Sequence, residues 1–134
     1  NELEFMRKTL EAELAQRATS RMSETVLSEL AHVDDALNHA IDRGDIGEYL
    51  TQNYRFHTIV NTCAEAPILA ATVDRLWLMF GPSLRVVCGR FGTSNLPDKH
   101  ADLLAAFREG DAAKAAQAMA EDVSQGMVQI RASL

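Results

Sequence analysis

Gly44-Asp45-Ile46-Gly47-Glu48-Tyr49-Leu50-Thr51-Gln52-Asn53-Tyr54-Arg55-Phe56-His57 is the stretch that decides how this chain folds. Glycine takes the left-handed backbone that ends one helix, and the aspartate after it offers an oxygen to the free amides of the next first turn. So short a link folds two helices back on each other. From Ile46 onward the inward stripe reads Ile46, Leu50, Asn53, Phe56/His57, Val60 and Ala64, the spacing of one helix face. That face therefore carries an amide and an imidazole one turn apart.

The same device recurs at Gly110-Asp111, and helical periodicity fills the segments between. Leu3, Met6, Leu10, Leu14 and Ala18 mark a first helix over about residues 2 to 20, with Arg7 on the same stripe. There Arg7 either pairs with Glu11 one turn on or reads an anion. Ser23 caps a second helix with Val26, Leu30, Val33, Leu37 and Ala40 or Ile41 inward. His32 and His39 share its polar face with Asp35 and Asp42, a solvated surface and not a metal site. The third helix ends near Ala64 and turns at Ala66-Pro67, and Pro67 opens a fourth that Gly81-Pro82 breaks or kinks. Residues 83 to 88, with β-branched Val86 and Val87, read as continued helix or a short strand, and helix is taken because the sequence offers no partner strand; Gly89 to Leu96 form the longest loop. Asn95 and Pro97 then mark the start of a helix that places His100, Leu103, Leu104 and Phe107 on one face. The last helix carries Ala115, Ala116, Met119, Val123, Met127 and Ile130, with Asp122 at the edge of the stripe. The fold class is all-α, a single domain over residues 1–134 built as an antiparallel bundle of six to seven helices.

Charge narrows the partners. Nineteen acidic against thirteen basic residues give a net charge of -6, which repels a phosphate backbone, so this segment makes no direct nucleic-acid contact. No apolar run approaches the ~20 residues that span a bilayer. Cys63 and Cys88, far apart and in apolar surroundings, read as buried free thiols of a cytoplasmic protein. The chain opens at Asn1 directly in helical periodicity, as a fragment of something longer would.

Asn53, His57, His100 and Asp122 occupy or border inward stripes on three helices. A buried polar group without a partner costs about 1–3 kcal/mol, so these four meet one another, a metal or a ligand. Two imidazoles and a carboxylate suit a divalent ion such as zinc, nickel or manganese, with the Asn53 carbonyl as a weak fourth ligand. A hydrogen-bonded cluster holding water is the other solution.

The order of these features resembles the C-terminal effector-binding and dimerisation domain (FCD) of GntR-type bacterial transcription regulators. The resemblance rests on Met6-Arg7 with Leu10-Glu11, Gly44-Asp45, Phe56-His57, and Pro67 with Leu69. It continues through His100 with Leu103-Leu104 and Glu109-Gly110-Asp111 followed by Ala115-Ala116 and Met119. It implies a metal held by an aspartate and a histidine four residues apart on helix three and by one histidine from each of the last two helices. His57 and His100 match; Asn53 stands where that family usually has the aspartate, and Asp122 where it has the last histidine. The carboxylate has changed helix. The resemblance further implies a small carboxylate effector, for which Arg7 and then Arg85 are the candidate cations, a homodimer, and an upstream winged-helix domain that contacts DNA. A metal-dependent enzyme using the two histidines and the carboxylate, or a purely structural dimerisation bundle, are the other readings. Without a separate nucleophile or general base at a motif spacing, a sensor is expected and not an enzyme.

Overall fold

A computed structural model describes the backbone of residues 2–91 and 99–133, and side chains over residues 2–79 and 99–125. Six helices account for it: α1 (Glu2–Thr19), α2 (Glu24–Asp42), α3 (Ile46–Cys63), α4 (Pro67–Phe91), α5 (His100–Glu109) and α6 (Ala112–Ser133). The all-α class holds. Helix α1 packs along α6, α2 along α3, and α5 against α6, while α3 and α4 also meet. No helix among the described residues is long and apolar enough to cross a membrane.

The links behave as their residues dictate. Ser23 accepts the Val26 amide at the start of α2, and Asp45 accepts the Glu48 amide at the start of α3. Gly44 and Gly110 both sit at φ 69°, in the left-handed region. Asp111 then accepts the Lys114 amide at 3.0 Å, capping α6. At the α3–α4 turn a non-glycine, Glu65, takes the left-handed position (φ 55°) and pairs with Arg21 at 3.0 Å.

The structure changes two boundaries. Gly81-Pro82 does not end α4, which runs continuously to Phe91 and so absorbs Gly89 to Phe91 from the expected loop. A proline inside a helix forfeits one backbone bond and crowds the preceding turn, at a cost of about 3 kcal/mol, and α4 continues past it. Helix α5 begins at His100, after Lys99, which provides no side-chain cap. Asn95 lies outside the described residues.

Leu14, Ala15, Ala18, Leu30, Val33, Phe56, Val60, Leu103, Phe107, Met119 and Val123 form the body of one core. The buried face of α1 is turned from the expected one. Arg7, Glu11, Leu14, Ala15 and Ala18 face inward, while Leu3 and Leu10 pack at the edge and Met6 is exposed. An alanine Cβ at Gly110 would meet nothing within 4 Å, so its cost is backbone conformation alone. Gly110→Ala should therefore destabilise the domain by about 1 kcal/mol in denaturant unfolding. Gly110→Asn should cost less, because asparagine tolerates the left-handed region.

Candidate metal and effector centre

Five helices deliver charged or imidazole side chains to one buried network. Helix α1 supplies Arg7 and Glu11, α2 Asp34, α3 His57, α5 His100 and α6 Asp122. His57 lies at its centre. Its Nδ1 is 2.8 Å from Glu11 Oε1 and its Nε2 is 2.9 Å from Asp122 Oδ2. His100 is arranged the same way on a looser scale, with Nδ1 3.5 Å from Asp34 Oδ1 and Nε2 3.7 Å from the same Asp122 oxygen. Each imidazole thus presents Nε2 to Asp122 and Nδ1 to a different carboxylate.

Aromatic faces fix the rings. Phe56 stacks on His100 with centroids 4.0 Å apart and planes 4° apart, and Trp77 tilts against His57 at 5.0 Å. The Trp77 indole also donates to Glu11 Oε1 at 3.4 Å, while Arg7 donates from Nε to Glu11 Oε2 at 2.9 Å and lies over the Trp77 ring. Glu11 is fully buried, and Arg7, Trp77 and His57 are what make a carboxylate tolerable there.

The charges are interdependent. Burial alone would raise the Glu11 carboxyl, but Arg7 and His57 outweigh it and hold the group below its ordinary value. Burial would lower the His57 imidazole; Glu11 and Asp122 outweigh that and raise it. For Asp122 burial again opposes ionisation, and His100 with His57 holds the carboxyl well below the usual carboxylate range.

The donor set fits a divalent ion. His57, His100 and Asp122 each offer one ligand atom within 4.8 Å of the others, the two histidines buried and Asp122 partly so. Ligands about 2.0–2.1 Å from a tetrahedral ion are roughly 3.3 Å apart, a separation that small side-chain adjustments would reach. The two outer carboxylates, Glu11 and Asp34, occupy the places that orient metal-bound histidines through their second nitrogen. With neutral imidazoles the network holds three carboxylates against one guanidinium, a formal excess of two negative charges that a divalent cation balances.

Of the residues expected from sequence, His57, His100 and Asp122 come together. Arg7 is beside them but pairs with Glu11, as one of its two readings held. Asn53 stands one turn before His57 and is half-buried. The Arg85 side chain lies outside the described residues, as does that of Cys88. Cys63 is a half-buried free thiol whose Sγ donates to the Arg21 carbonyl at 3.5 Å; burial first, then Glu65, pushes it up. Glu11, Asp34 and Trp77 were not expected in the site. Glu11 and Asp34 each lie at helical spacing from core positions, three residues before Leu14 and three before Leu37, so periodicity held a signal for both.

Residues 2–125 match the family model described as the FCD domain. The chain is 24% identical over 130 residues to the HTH-type transcriptional regulator McbR of Escherichia coli strain K12. That match covers 95% of this chain, which spans 59% of the relative's length. The solved structure of E. coli McbR/YncC superposes with a TM-score of 0.92 at 23% identity, over 99% of this chain and 68% of that one. That likeness concerns the fold. With the family model spanning nearly all of it, the chain belongs to the FCD domain family, the effector-binding domain of GntR-type transcription regulators.

Proposed function

We propose that this domain senses a small organic acid at a divalent metal held by His57, His100 and Asp122, and so controls the DNA binding of the longer protein it serves. The observation that carries the reading is the shared Asp122 oxygen, faced by the Nε2 of both histidines while both Nδ1 atoms face other carboxylates. When bound, the ion supplies a positive centre with open positions for a carboxylate oxygen. Asn53, one turn before His57, is the candidate fourth protein ligand. Arg7 serves the centre by neutralising Glu11, which holds the His57 ring in place. A bound acid that favours one packing of these helices would re-space two DNA-binding domains in a dimer, and only differential affinity for the two packings can do so.

The short contacts of His57 favour a second reading, in which a proton takes the place of the metal and the network is structural. The two differ in pH response. The His57 pKa is raised above its ordinary 6.5, so the stability it gives is complete below that value and lost as pH rises through the folded one. Glu11 and Asp122 are lowered, so their contribution is present above their ordinary values of 4.5 and 3.8 and lost as pH falls through the folded ones. Metal-free protein should accordingly be most stable between about pH 4.5 and 6.5, and its melting temperature should fall above that window. Metal binding requires the imidazoles deprotonated, so the stabilisation by added metal should grow with pH over the same range.

Elemental analysis after purification without added metal, with melting curves in zinc, nickel or manganese, tests the metal directly. At a concentration near 100 times Kd, stabilisation of about 2.7 kcal/mol is expected, and it should vanish in His100→Ala and in Asp122→Asn. No bound metal and no thermal shift with any of the three would retire the centre. Equal operator affinity of the full-length protein with and without its bound acid would retire the switch.

A further inference from the structure

A cavity opens beside His57. It lies between α3 and α4, has a volume of about 270 Å³, and ends on His57 and Trp77, whose rings also belong to the buried network. Tyr54 and Asp74 border it and are tied by a hydrogen bond from the tyrosine hydroxyl to the carboxylate, joining the two helices. Tyr54 meets Trp77 edge to face at 5.8 Å, which gives the cavity an aromatic wall. Opposite, Ala70 and Ala71 on α4 leave it room.

Asn61 lines this cavity and is only 7% exposed, yet its Oδ1 has no hydrogen-bond partner among the described residues. Buried amide oxygens are almost always satisfied, so this one calls for a donor. Charge at the cavity points the same way. Asp74 is a carboxylate, and no lysine or arginine among the described residues lines the walls, so an anion there would meet repulsion from Asp74.

We propose that the α3–α4 cavity is a second ligand site, separate from the metal centre, for a small uncharged or cationic molecule that presents hydroxyl or amine donors. Asn61 Oδ1 accepts the donor that selects the ligand, Asp74 supplies a further acceptor at the rim, and Trp77 packs against its apolar part. A cation or a C–H face suits such a wall. Because His57 and Trp77 border both sites, occupancy of the cavity acts on the rings that hold Glu11 and Asp122.

The test uses the 134-residue chain, labelled with nitrogen-15, titrated with ethanolamine, with glycerol and with acetate. The expected result is saturable shifts of the Asn61 side-chain amide and of the Ala70 and Ala71 amides with ethanolamine or glycerol, and none with acetate. Asn61→Leu should weaken that binding about tenfold or more. Ala71→Leu, which fills the cavity from an exposed position, should abolish it. Shifts that do not saturate, as for a cavity that holds only water, would overturn the proposal. So would acetate binding as well as ethanolamine, or either variant binding like the parent. The metal-induced rise in melting temperature should persist in Ala71→Leu whichever way the titration falls, so loss of this site and loss of the metal centre are read separately.

Discussion

A fully buried carboxylate is the constraint around which this bundle is arranged. Glu11 has no exposed surface, and leaving it unpaired would be far costlier than any single apolar contact could offset. Its partners come from three helices: Arg7 from α1 itself, His57 from α3 and Trp77 from α4. Meeting them fixes the rotation of α1, which is why Arg7 and Glu11 face inward and Met6 does not. A charged pair of this kind adds little net stability over an apolar replacement, but removing one member strands the other. Its value here is positional, since it sets the His57 ring.

From that ring the network reaches Asp122 and then His100 and Asp34. Asn53 is neutral where the resemblance leads one to expect aspartate, and Asp122 is a carboxylate where it leads one to expect histidine. The two departures compensate in space, because Asp122 reaches the Nε2 atoms of both histidines from α6. One carboxylate thus stands among two imidazoles, supplied from α6.

Helix α3 serves two faces at once. His57 takes part in the carboxylate network and also borders the α3–α4 cavity, while Phe56 next to it stacks on His100. Tyr54 and Asn61 extend the cavity side of the helix by a turn in each direction. A helix with polar side chains on two faces has little apolar surface to spare, and the core correspondingly draws on α1, α2, α5 and α6 for most of its aliphatic residues.

Local chemistry was legible in the sequence because it depends on neighbours along the chain. Gly44-Asp45 and Gly110-Asp111 set hairpins through backbone conformation and capping, Ser23 set the start of α2, and periodicity placed His57 and His100 inward. The order of those pieces sufficed to indicate the FCD family. What the sequence alone left open depends on contacts between distant segments. Gly81-Pro82 reads as a break or a kink, and only the tertiary structure shows α4 running through it to Phe91. Glu11 reads only as one half of an i, i+4 pair with Arg7 until α3 and α4 bring His57 and Trp77 to it across 46 and 66 residues. Asp34 likewise acquires a role only when α5 delivers His100. A carboxylate's preference for burial is set by the partners waiting there, and only the tertiary structure decides which partners those are.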